Sequence, residues 1–105
     1  CAYDLGALER IHQKYAGQDV KIVGLVYNSG TRDEVASFLS ELGVEFPTLM
    51  CSSEVRDAYD VSTFPTTFLL DGKKQIRYWM YGHLVEKHWS QLVAELLDEA
   101  ERVAD

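Results

Sequence analysis

Val61-Ser62-Thr63-Phe64-Pro65-Thr66-Thr67-Phe68-Leu69-Leu70 decides how the rest of the chain is read. Small polar residues, one proline, then a β-branched and aromatic run spell a loop, a tight turn and a buried strand. Proline donates nothing to a sheet ladder, so Pro65 has to stand at the first position of that strand or just outside it. Downstream, Asp71-Gly72 is a strong hairpin signal. The returning strand, Gln75 to Tyr81, sets Ile76, Tyr78 and Met80 on one face and Trp79 and Tyr81 on the other. Both faces therefore read as covered, apart from Arg77. Gly82 breaks the strand. From about Leu84 to Val103 a long helix presents Val85, Trp89, Leu92, Val93, Leu96 and Ala100 to the core behind an acidic outer face.

Upstream of the Pro65 turn, residues 1 to about 16 hold Leu5, Leu8, Ile11, His12 and Tyr15 at helical spacing, with Gly17 as the stop. No N-cap precedes this helix, so it reads as cut rather than begun. Val20 to Tyr27 is apolar at nearly every position, the pattern of a parallel strand buried on both faces. Thr31 and Glu34 form a capping box for a helix whose apolar stripe is Val35, Phe38, Leu39 and Leu42, ended by Gly43. Phe46 to Met50 is a short second strand, with Pro47 confined to its start or an edge. Ser52 caps a brief helix carrying Val55, Ala58 and Tyr59. The order helix, strand, helix, strand, helix, strand, strand, helix predicts an α/β fold with one mixed sheet flanked by helices. Parallel crossovers come first and the antiparallel hairpin last. A sheet of this kind has a central strand feeding the first helix, and that N-terminal strand is missing. The expected organisation is one domain over 1–105, incomplete at its N-terminal side.

A chain of 105 residues holds one core. Its 47% hydrophobic and 26% charged residues are ordinary for a globular chain. Ten Lys and Arg stand against 17 Asp and Glu, a formal net charge of −7, with no basic cluster interleaved with aromatics. Such a surface repels phosphate backbones, so no nucleic-acid partner is expected. Apolar runs are only a few residues long, which excludes a membrane span or signal-peptide core; a membrane anchor could lie only upstream of this chain. Cys1 and Cys51 are far apart in sequence, and His12, His83 and His88 do not group with them. Neither a metal nor a cofactor is expected. Cys51 follows a buried strand and reads as a packed thiol, with a second redox role as the alternative. His12 and His88 read as partly packed helix residues, His83 as a cap or a solvent-facing side chain, and Tyr78 to Tyr81 as sheet packing.

Three features converge: Ala58-Tyr59-Asp60-Val61 followed by Pro65-Thr66-Thr67-Phe68, Gly82 before the last helix, and the inserted helix and strand from Thr31 to Met50. On these, essentially the whole chain resembles the thioredoxin superfamily, specifically the extracytoplasmic TlpA/ResA-like thiol–disulfide oxidoreductases that include cytochrome c maturation proteins. That family's active-site pattern is Trp-Cys-x-x-Cys-x-x-Glu-x-Pro-x-Leu. Aligned on the helix stripe, Cys1 matches the second cysteine, Asp4 the glutamate, Gly6 the proline and Leu8 the leucine. Matching Cys1 to the first cysteine would slip the stripe by three residues and lose Leu8. Asp for Glu keeps an acid on a shorter arm, and Gly for Pro removes the family's helix kink.

The resemblance implies a thioredoxin-like fold and a CxxC pair of which only the resolving cysteine, Cys1, is present. It implies Pro65 in cis, Asp4 assisting the thiol, and Phe64 and Thr63 lining a groove for an extended substrate. Implied partners are protein thiols or disulfides and a reducing partner protein, in a bacterial periplasmic or other extracytoplasmic setting. The pair would exchange disulfides, reducing apocytochrome c or serving disulfide repair, and this chain alone would not turn over. A redox-inert thioredoxin-like binding module is the alternative. A peroxidase reading lacks a Thr-x-x-Cys motif, and an N-terminal nucleophile hydrolase lacks an activating base.

Overall fold

The computed structural model describes residues 2–104, with side chains as far as Arg102. Its elements run α1 (Ala2–Lys14), β1 (Gly24–Val26), α2 (Arg32–Leu42), β2 (Thr48–Met50), α3 (Ser53–Ala58), β3 (Thr66–Leu70), β4 (Ile76–Tyr81) and α4 (Glu86–Ala104). The order is the one the sequence predicts. Among the described residues the strands pair in two ladders: β1 with β2 in parallel, and β3 with β4 antiparallel.

The core lies where α1 and α4 meet one face of the hairpin. Ala7, Ile11 and Tyr15 from α1 are buried with Leu84 and with Trp89, Leu92 and Val93 from α4. Leu69, Tyr78 and Met80 from β3 and β4 pack against that cluster, with Val20 and Ile22 from the segment before β1. Polar contacts fasten the same elements at their rims. Arg10 pairs with Glu86 at 2.7 Å, and Lys14 donates to the Ser90 hydroxyl at 3.0 Å. The Tyr15 hydroxyl donates to the Ser90 carbonyl at 3.1 Å. Arg77 binds both oxygens of Glu99 at 2.7 and 3.0 Å, tying β4 to α4.

The inserted α2–β2 unit is attached differently. Glu9 of α1 accepts the main-chain N–H groups of Glu45 at 2.7 Å and Phe46 at 3.2 Å. Partial burial pushes the Glu9 carboxyl up, but these bonds and one from Gln13 outweigh it and hold the group below its ordinary range. Gly24 explains the close approach of β1 to β2. A Cβ there would stand 3.1 Å from both the Phe46 ring and the Thr48 hydroxyl. At the start of α2 the capping box is fully formed: Glu34 N–H donates to the Thr31 hydroxyl at 3.2 Å and Thr31 N–H to the Glu34 carboxylate at 3.1 Å. Thr31→Ala should lower stability by about 1 kcal/mol, read as a lower urea midpoint at unchanged slope.

Several face assignments do not hold. Val23 and Leu25 are about half exposed, as are Phe38 of α2 and Trp79, Tyr81 and Ile76 of β4. Val85 and Ala100 face solvent too. Periodicity identifies which residues share a face, but two two-stranded ladders do not cover both faces of every strand. The hairpin connection also differs in detail from the Asp71-Gly72 signal. Lys74, not Gly72, takes the left-handed conformation, with φ 64°. Asp71 organises the turn, accepting from Lys73 N–H at 2.9 Å and Gln75 N–H at 3.1 Å. The Gln75 bond leads the causes that hold the Asp71 carboxyl below its ordinary range.

Candidate functional site

The Pro65 turn sits where the sequence puts it, directly before β3, and the Phe64–Pro65 peptide is cis. The Thr66 hydroxyl donates to the Thr63 carbonyl and closes the turn. Gly82 N–H donates to the Pro65 carbonyl at 2.7 Å, continuing the ladder in which Thr66 opposes Tyr81. Gly82 has φ 94°, a conformation that glycine enters without a Cβ penalty. The chain can therefore leave β4 sharply and run along the first turn of α1.

There it meets Asp4. This carboxylate is 3% exposed, the one buried charged side chain among the described residues. Oδ1 accepts the buried N–H of Leu84 at 3.1 Å, and Oδ2 is 2.7 Å from Nδ1 of His83. Burial of an acid is tolerated only when its lone pairs are satisfied in this way. Its place in the first helical turn also suits the helix dipole. Asp4 and the Pro65 turn are thus both fastened to one short segment, Gly82 to Leu84. Cys1, three positions before Asp4 in the sequence, lies outside the described residues.

The outer wall of the turn is aromatic. Phe64 is 53% exposed and stacks on Tyr27, at the end of β1, with ring centroids 6.1 Å apart and planes 3° from parallel. Arg56 of α3 covers the same tyrosine at 4.8 Å, and its charge is paired with Asp57 at 2.7 Å. Hydrogen bonding to Asp57 leads the effects that raise the Arg56 guanidinium above its ordinary range, so it stays a cation. The Tyr27 hydroxyl is 3.4 Å from the Ser53 hydroxyl. Thr63 is exposed beside Phe64. Cys51 is half-buried at the end of β2, its N–H on the Val26 carbonyl at 2.7 Å and its thiol on the Ser52 carbonyl at 3.3 Å.

The structure therefore brings Asp4 and Pro65 to one segment and leaves Phe64 and Thr63 open to solvent. Three residues that sequence reasoning passed over join them: His83, Tyr27 and Arg56. The available signal for His83 was its place just after Gly82, at the entry to the last helix. Among the described residues, no group of three or more His, Cys, Asp or Glu is arranged to hold a metal ion. No helix of the described residues is long and apolar enough to cross a membrane.

Residues 1–79 match the AhpC/TSA family. The chain is 27% identical over 93 residues to the thioredoxin-like protein YneN of Bacillus subtilis, covering 87% of this chain and 54% of that protein. It is 31% identical over 88 residues to the thiol-disulfide oxidoreductase ResA of the same organism, covering 82% and 48%. To the thiol:disulfide interchange protein DsbE of Vibrio cholerae it is 30% identical over 86 residues, covering 80% and 46%. The chain thus spans about half the length of these relatives. Two solved structures share its fold. A thiol:disulfide interchange protein of the thioredoxin family from Chlorobium tepidum superposes with a TM-score of 0.83 at 17% identity, over 92% of this chain and 70% of that one. StoA from Bacillus subtilis superposes with a TM-score of 0.73 at 24% identity, over 87% and 70%. The fold is thioredoxin-like, as the sequence resemblance implies.

Proposed function

The chain belongs to the AhpC/TSA family, and on that footing we propose that it is part of a thiol–disulfide oxidoreductase acting on protein disulfides, with Cys1 as the resolving thiol. The observation that carries this reading is the convergence on Gly82 to Leu84. The acid of the first turn of α1 and the cis turn that would receive substrate are held by the same three residues. The matched relatives named for thiol–disulfide chemistry support it.

In this reading a nucleophilic thiolate three positions before Cys1 attacks one sulfur of a substrate disulfide. The other substrate sulfur leaves as a thiolate and takes up a proton. The thiolate of Cys1 then attacks the nucleophilic sulfur of the mixed disulfide, closing a protein disulfide and releasing the second substrate thiol. Two electrons pass from the cysteine pair to the substrate, and a reducing partner protein returns them. A thiol at the start of α1 is favoured as thiolate by the helix dipole and the unpaired N–H groups there. Asp4 accepts the proton that Cys1 gives up. Pro65 and Thr63 offer main-chain groups to an extended substrate, and Phe64 covers its sulfur. The proposed setting is the bacterial periplasm or an equivalent extracytoplasmic space, a reading that the family resemblance supports.

Insulin disulfide reduction by the protein carrying this chain and its upstream residues tests the reading. Cys1→Ser should abolish turnover, and Phe64→Ala should raise KM more than it lowers kcat. Unchanged turnover in Cys1→Ser overturns the reading. A residue other than cysteine three positions before Cys1, with partner binding retained, would make the domain a redox-inert binding module instead.

A further inference from the structure

We propose that His83 is the general acid of this site, an imidazole held by Asp4 that protonates the thiolate leaving when a substrate disulfide is opened; the proposal rests on the thiol–disulfide reading above. Its Nδ1 is committed to the buried Asp4 carboxylate at 2.7 Å, which fixes the ring and leaves Nε2 on the far side. The His83 side chain is 71% exposed while its partner is 4% exposed, so the pair runs from the buried first turn of α1 out to solvent. The neighbouring residue Gly82 is bonded to the Pro65 carbonyl, so His83 follows directly on the residue that holds the turn.

Among the described residues, the turn itself and the strand after it offer no other acid. Thr63 to Leu70 carries no titratable side chain. On α4 the first-turn carboxylate, Glu86, is paired with Arg10 at 2.7 Å. A carboxylate behind one imidazole nitrogen with the other facing the reacting group is the arrangement that orients histidine for proton transfer.

The step balances as follows. The attacking thiolate forms a new S–S bond as the substrate S–S bond breaks, and the departing sulfur keeps the electron pair. That sulfur takes the proton from Nε2 of the imidazolium, leaving neutral His83 on Asp4. Bulk water then returns a proton to Nε2. Such help matters only when the leaving thiolate is strongly basic, because an acidic thiol departs readily without it.

That difference supplies the test, on the protein carrying this chain and its upstream residues, with Cys1→Ser and Cys51→Ser so that the nucleophilic thiol three positions before Cys1 opens the disulfide alone. Single-turnover rates are measured with oxidised glutathione, whose leaving thiol is basic, and with dithiobis-nitrobenzoate, whose leaving thiol is acidic. His83→Ala and His83→Gln should each slow the glutathione reaction by about 10- to 100-fold and leave the aryl disulfide reaction within about twofold. Glutamine keeps a hydrogen bond to Asp4 but cannot act as an acid, and added imidazole should restore the rate of His83→Ala. Equal slowing on both probes, or no slowing on either, overturns the role of His83 while the thiol reading stands. A parent protein, with the upstream nucleophilic thiol in place, that is no faster than a free cysteine peptide on either probe overturns the thiol reading, and this proposal falls with it.

Discussion

Trp89→Ala should destabilise the protein by about 3–5 kcal/mol, the range for removing a buried tryptophan. Trp89 is 4% exposed and belongs to the one cluster that joins α1 to α4. Its neighbours in that cluster, Ala7, Ile11, Leu84, Leu92 and Val93, are held on two helices and a tied segment, so little collapse into the vacated volume is available. Trp89→Phe should cost clearly less, under about 2 kcal/mol. The indole Nε1 is buried with no hydrogen-bond partner among the described residues, so removing it also removes a desolvated donor. Urea unfolding followed by circular dichroism measures both. Equal losses would mean that the indole N–H is satisfied in solution.

Asp4→Ala should lower stability by about 1–3 kcal/mol because it strands the buried N–H of Leu84. Asp4→Asn keeps an oxygen in the place of Oδ1, so it should retain most of that stability while altering the contact with His83. Hydrogen exchange separates the two directly. The Leu84 amide should lose protection in the alanine variant and keep much of it in the asparagine variant. Identical exchange in both would show that Leu84 does not depend on this acceptor. The consequence for the site is geometric as well as energetic, since Leu84 leads into α4 and Gly82 holds the Pro65 carbonyl.

Elements with local causes were legible in the sequence. The Thr31–Glu34 box, the helix it starts and the strand after Pro65 each depend on residues a few positions apart, and they form as read. Exposure was less legible. The alternation in β4 correctly separates Tyr78 and Met80 from Trp79 and Tyr81, yet the second pair is open to solvent. Alternation carries no information about whether a second layer lies over a face. The site divides in the same way. Pro65, Phe64 and Asp4 could be named because a contiguous family pattern contains them. His83 could not, because it reaches Asp4 across 79 positions of sequence, and nothing local to either residue encodes the pairing. Tyr27 and Arg56 were missed for the same reason: Phe64 stacks on Tyr27 and Arg56 covers Tyr27, which joins three stretches far apart in sequence.

The contrast between the two tryptophans gives the molecule a built-in optical assay. Trp89 is sealed in the helical core, and Trp79 of β4 is 58% exposed, opposite Phe68 of β3. Their fluorescence should differ in colour and in access to a collisional quencher such as iodide. Red-shifted, quenchable emission comes from Trp79, on the second strand of the hairpin. Blue, protected emission comes from Trp89 and vanishes only when α1 and α4 separate. Changes at the exposed face of the hairpin and loss of the fold can therefore be followed as separate signals in one unlabelled sample.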